Sequence, residues 1–120
     1  MIQPAVDSVR SSMADLLFHA LGDSTRRRMV SHLAESPASV SELAAILAIS
    51  KTAIGQHLAV LEGALLARST KVGRVRTCHF NPAGLAPLQN WIDYHREEWS
   101  ERLNRLDDLV SAIAPKGDGA

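Results

Sequence analysis

The chain has one cysteine, Cys78, among its 120 residues. A single thiol excludes an internal disulfide framework and any cysteine-cluster metal site within one chain. No apolar run approaches the length needed to span a bilayer. The opening MIQPAVDSVRSSMADLL lacks the basic start and apolar stretch of a secretion signal, so a cytoplasmic location is the expectation. There is no phosphate-cradling glycine loop and no Ser/His/Asp arrangement suited to nucleophilic catalysis. Asp107-Asp108 with Glu97, Glu98 and Glu101 reads as the solvated face of a helix, and His19, His32 and His79 show no ligand spacing. Catalytic residues, metal ligands and cofactors are therefore expected to be none.

Net charge is missing too: 13 Lys+Arg balance 13 Asp+Glu. Zero charge argues at first against nucleic acid, but the charge is segregated. From Ser50 to Phe80 five Lys/Arg meet one acid, Glu62; from Gly84 to Ile113 three Arg meet six acids. The length is that of one domain with a modest core.

What is present is organised around Ser39–Leu66. Ser39 and Glu42 have capping-box spacing, and Val40, Leu43 and Leu47 fall on one helical face. Ala48-Ile49 breaks the pattern and Ser50 is a good cap for a second helix. That helix is expected to bury Ile54, Leu58, Leu61 and Leu65. Its other face carries Lys51, Thr52, Gly55, Gln56 and Ala59. One charge, two neutral hydrogen-bonding side chains and small residues suit a major groove better than open solvent.

Around this hairpin the chain reads in order. Residues 1–12 are expected to be a flexible N-terminus. Met13–Leu21 is a short helix, apolar nearly all round through Leu16, Leu17, Phe18 and Leu21 and so expected to be buried. Asp23 or Ser24 caps a helix over Thr25–Glu35 with Met29, Val30 and Leu33 inward. Arg26, Arg27 and Arg28 in its first turn oppose the macrodipole, so they require partners, Asp23 or other acids, or DNA phosphate. After Leu66 the period changes to a two-stranded ribbon around a Gly73 turn, with Arg68, Lys71, Arg74 and Arg76 near its tip and Val75 and Phe80 packing it back. Ala83-Gly84 opens a long helix to about Ala114. On it Leu85, Ile92, Trp99, Leu106 and Ile113 recur at sevens, with Leu88, His95, Leu103 and Val110 between them. Such a stripe, with Trp91 beside it, asks for a second chain. The expected organisation is a winged helix-turn-helix over 13–83, a dimerisation helix over 84–114 and a disordered tail over 115–120.

The segments Phe18-His-Ala-Leu-Gly-Asp-Ser-Thr-Arg26, Val40-Ser-Glu-Leu-Ala44, Ile49-Ser-Lys-Thr-Ala-Ile-Gly-Gln-His-Leu-Ala-Val-Leu61 and Gly73-Arg74, in this order and spacing, resemble the ArsR/SmtB family of winged-helix regulators. The resemblance implies a mainly α fold with a small β-ribbon and a homodimer joined by the first and last helices. It also implies repression from a near-palindromic DNA operator, often that of the protein's own gene, with release by an inducer. Onto this chain it carries Ser50, Lys51, Thr52, Gly55, Gln56 and His57 on the recognition helix, and Lys71, Arg74 and Arg76 on the wing. The dimer surface it implies comprises Leu16, Leu17, Leu85, Leu88, Ile92, His95, Trp99, Leu103, Leu106 and Val110. Departures are informative. Gly55 stands where Ser is common and Ser24 where Pro is usual. Glu42-Leu-Ala-Ala-Ile-Leu47 holds no Cys-x-Cys pair, so the thiolate metal site is absent. Asp93-Tyr-His95 matches half of the last-helix zinc site, while the other half has no histidine. The chain thus resembles the subset without the usual metal ligands. Three alternatives stay open: a small-molecule sensor between the C-terminal helices near Trp91, His95 and Trp99, a thiol switch at Cys78, and a winged-helix module that binds a protein partner.

Overall fold

The computed structural model describes residues 4–113. The order is α1 (Pro4–Leu21), α2 (Ser24–Glu35), β1 (Ala38–Ser39), α3 (Val40–Leu47), α4 (Lys51–Gly63), β2 (Ala67–Val72), β3 (Val75–Phe80), a 3-10 turn (Pro82–Leu85) and α5 (Ala86–Ile113). Two compact units divide between Leu88 and Gln89. The tail expected over 115–120 lies outside the described residues, as do the first three residues of the expected flexible N-terminus.

The first unit is helical around one small sheet. Its core is Leu17 and Ala20 of α1, Met29 and Leu33 of α2, Leu43 and Leu47 of α3, and Ile54, Leu58 and Leu61 of α4, with Leu66 and Cys78 from the sheet side. Val30, Phe80, Leu85 and Leu88 pack at its edge. The expected inward faces of α2, α3 and α4 are thus the faces buried. The sheet is antiparallel in the order β1-β3-β2. The ribbon therefore gains a third strand, Ala38 opposite Cys78 and Ser39 opposite Thr77. Two residues are too few to show alternation, so this strand leaves no pattern in the sequence. Gly73, at φ 62, supplies the positive angle that the first position of a two-residue hairpin turn requires.

Five expectations are corrected. α1 begins at Pro4 rather than Met13; proline suits a first helical position, whose N–H would have no intrahelical partner. Only one stripe of α1 is buried: Leu17 is 1% exposed, but Leu16 is 50% and Phe18 42% exposed. Leu17, assigned to a dimer surface, is thus enclosed within its own chain and has no area left for another. Leu65 is 54% exposed at φ 61, beyond the end of α4 at Gly63, so the helical period no longer governs it and Leu66 takes the core position. Val75 is exposed, and the wing is anchored instead by the fully buried Cys78.

The second unit is the rest of α5, whose polar side is laced by Arg96–Asp93, Arg102–Glu98 and Arg105–Glu101 pairs at helical spacing. No α5 residue is buried. Trp99, Leu103, Leu106, Val110 and Ile113 are all exposed. Among the described residues, no single helix is long and apolar enough to cross a membrane.

Candidate nucleic-acid interface

The recognition hairpin is built by its caps. Ser39 Oγ accepts the Glu42 N–H at 3.1 Å, and Glu42 Oε1 accepts the Ser39 N–H at 3.2 Å, closing a full capping box on α3. Ala48 adopts φ 57, and the Ile49 N–H donates back to the Ala44 carbonyl at 3.1 Å. Ser50 then opens α4, its Oγ accepting the Ala53 N–H at 3.0 Å. The two helices are bent by 109° at this turn, within the range of a DNA-reading helix-turn-helix. With Ile54, Leu58 and Leu61 held in the core, the geometry of an α-helix leaves Lys51, Thr52 and Gln56 exposed on the far side.

Between α4 and the wing lies a groove of about 490 Å³, lined among others by Ser41, Gly55, Lys51, Lys71, Arg74 and Arg76. Four cations and no acid face it. A concave, single-sign surface focuses potential and favours a polyanion. The structure thus brings Lys51, Gly55, Lys71, Arg74 and Arg76 to one groove, with Thr52 and Gln56 on α4 outside its lining.

Two of the expected contacts are engaged inside the fold. His57 is half-buried, its Nδ1 3.3 Å from Arg26 Nη1 and 3.9 Å from Asp23 Oδ2. Arg76 Nη2 donates to Glu62 Oε1 at 3.2 Å, and its Nε donates to Ser69 Oγ at 3.0 Å. Ser69 Oγ in turn donates to Glu62 at 2.9 Å. Two of the three arginines opening α2, Arg26 and Arg27, are held structurally. Arg26 Nε donates to the Ala20 carbonyl at 2.7 Å and its Nη2 to that of His19 at 3.0 Å, while Arg27 Nη1 donates to Leu21 at 2.7 Å. The partners are the open carbonyls at the end of α1, where the dipole welcomes cations. Asp23 caps α2 through the Arg26 N–H at 3.0 Å. That bond holds its carboxyl below the ordinary value of 3.8, helped by the nearby positive charge.

Other candidate chemistry is limited by burial and spacing. Cys78 is fully buried, and desolvation pushes its thiol up despite the opposing Arg76 charge, so the reactive thiolate is disfavoured. Among the described residues no group of three His, Cys, Asp or Glu is placed to hold a metal ion. On α5, His95 stacks on Trp99 with ring centres 5.5 Å apart, and Trp91 lies 4.7 Å from His95 and 5.3 Å from Trp99. This ladder uses the ring faces of His95 for packing within the helix.

Comparison with known proteins agrees with this geometry. Residues 23–69 match the model of bacterial regulatory proteins of the arsR family. The chain is 37% identical over 98 residues to the HTH-type transcriptional regulator Rv2034 of Mycobacterium tuberculosis, covering 82% of this chain and 89% of that protein. It is 36% identical over 75 residues to a protein of Synechocystis sp. named transcriptional repressor SmtB homolog, covering 61% of this chain and 56% of that one. The crystal structure of the ArsR family transcriptional regulator RHA00566 superposes with a TM-score of 0.70 at 32% identity, over 75% of this chain and 93% of the other. The capped helix-turn-helix, the cationic wing and these likenesses together place the chain in the arsR family of bacterial regulatory proteins, as a winged-helix transcriptional regulator that binds DNA rather than an enzyme.

Proposed function

We propose that this regulator is a homodimeric repressor that occupies a near-palindromic operator, its own promoter included. The carrying observation is the acid-free cationic groove between recognition helix and wing. In this reading Lys51, Thr52 and Gln56 read base edges from the first turns of α4, while Lys71 and Arg74 hold phosphate. Ser50 caps the helix, and Gly55 keeps the groove wall low. His57 and Arg76, already held within the fold, stand behind these contacts. The exposed stripe of Trp99, Leu103, Leu106 and Val110 supports pairing of two chains through α5, with Leu16 of α1 contributing. A two-fold dimer demands a two-fold operator. The name of the Synechocystis relative supports repression.

Fluorescence anisotropy tests the reading, with a duplex from upstream of the gene run beside a scrambled one across a salt series. Selective, salt-steep binding is expected. Gln56→Ala relaxes sequence preference, whereas Arg74→Ala weakens both duplexes alike and lowers the salt slope by about one. Sedimentation gives a dimer that Leu106→Glu dissociates, and a reporter on the same promoter rises when the gene is deleted. Equal, weak, salt-insensitive binding to both duplexes overturns the proposal in favour of a protein-binding module.

A further inference from the structure

Glu62, Ser69 and Arg76 come from three different elements, α4, β2 and β3, and close a triangle of hydrogen bonds. Glu62 Oε1 accepts from Ser69 Oγ at 2.9 Å and from Arg76 Nη2 at 3.2 Å, and Ser69 Oγ accepts from Arg76 Nε at 3.0 Å. The pair is partly shielded, with the Arg76 side chain 40% and that of Glu62 32% exposed.

The position of this triangle along the wing matters. The third strand pairs only as far as Ser39 opposite Thr77, leaving the distal ribbon, residues 70–76, without a strand beside it. A two-stranded ribbon is marginal alone. Side chains alternate across a strand, so with Lys71 opposite Arg76 and Ser69 opposite Cys78, these four share the face that Cys78 turns to the core. Two like charges directly opposite repel, and Glu62 is the only acid from Ser50 to Phe80 to offset them. It does so from the last turn of the recognition helix. A change in the wing's angle therefore has to break bonds to that helix.

We propose that Glu62, Ser69 and Arg76 brace the wing against α4 and set where Lys71 and Arg74 lie relative to the recognition helix. Arg76 is a positioning residue here. Its charge is matched by Glu62, and the phosphate-binding charges of the wing are Lys71 and Arg74. The inference rests on the DNA-binding reading of the groove and adds how its two walls are kept in register.

Amide hydrogen exchange of the free protein tests the brace without DNA, and salt-series anisotropy on the operator tests its consequence. Glu62→Ala speeds exchange across 70–76 and leaves α1 and α2 unchanged. Glu62→Gln, which removes the same charge but keeps an oxygen acceptor, restores most of the protection. On DNA, Glu62→Ala weakens operator binding and flattens the salt slope, as Lys71 and Arg74 lose their registration, and Glu62→Gln recovers most of both. If Arg76 is instead a phosphate contact held back by Glu62, both variants bind more tightly and steepen the slope by about one. That result, or unchanged exchange in Glu62→Ala, overturns the brace. Absence of selective DNA binding by the wild-type protein would overturn the operator reading, while the exchange data still decide the brace.

Discussion

His57 Nδ1, on the recognition helix, lies 3.3 Å from Arg26 Nη1, in the first turn of α2. Arginine is a permanent donor, so in this contact Nδ1 can serve only as the acceptor. The same guanidinium holds the Ala20 and His19 carbonyls. One side chain thus joins the end of α1, the start of α2 and the flank of α4. Arg26→Ala is expected to destabilise the fold by about 1.5–3 kcal/mol, the range for hydrogen bonds to charged groups. Arg26→Lys recovers only part, because an ammonium cannot reproduce the planar fork. Urea unfolding checks both; an unchanged midpoint in Arg26→Ala would refute the linking role.

Asp23 gives that junction an acid limit. Its carboxyl is held below 3.8 in the folded chain by the Arg26 N–H. A folded value below the unfolded one means that the stabilisation is complete above the unfolded value and is lost as pH falls through the folded one. Asp23→Asn keeps an oxygen for the cap but removes the titration. Wild type should therefore be the more stable of the two near neutral pH, and the gap should close as pH falls below the ordinary carboxyl value of 3.8. Urea titrations at several pH values measure it, and a gap that ignores pH contradicts the assignment.

How far the sequence reveals all this depends on the range of each interaction. Ser39, Glu42 and Ser50 announce two helix starts because a cap acts within three residues, and the spacing of Ile54, Leu58 and Leu61 fixes which side of α4 faces out. Leu65 continues that spacing yet sits outside, since the helix has ended and the backbone has turned to φ 61. The arginines at 26–28 are conspicuous, but the partners of Arg26 and Arg27 are backbone carbonyls of another helix, which no side-chain pattern marks. Glu62 and Arg76 are fourteen residues apart, and only the sheet register brings them together. The cationic wing is legible from composition; which of its charges are already matched is not.

Gly84 is required by space rather than by its torsion angle. A Cβ built there would lie 1.9 Å from the Leu65 carbonyl oxygen. That carbonyl also accepts Asn81 Nδ2 at 2.8 Å, and the Asn81 N–H donates to the Leu66 carbonyl at 2.8 Å, so backbone meets backbone on both sides. Gly84→Ala must displace the junction that leads from the wing to α5, at a cost of about 1–3 kcal/mol or more. Thermal melting should show a clear fall, and a melting temperature equal to wild type would mean that the junction yields freely.

Gly55 is the opposite case. A Cβ at this position meets nothing within 4 Å, and the residue sits mid-helix where glycine costs about 1 kcal/mol against alanine. A Cβ there would touch none of the described residues, and Gly55 lines the groove beside Lys51 and Arg74. In the proposed DNA-bound state a low wall there would let a DNA strand approach the helix backbone closely. Gly55→Ala is therefore expected to raise the melting temperature by several degrees and at the same time to weaken operator binding. Opposite signs in the two measurements locate the reason for the glycine in the bound state. A variant that is more stable and binds equally well would show that the groove wall has room to spare, and the contact would have to be drawn further out, at Thr52 and Gln56.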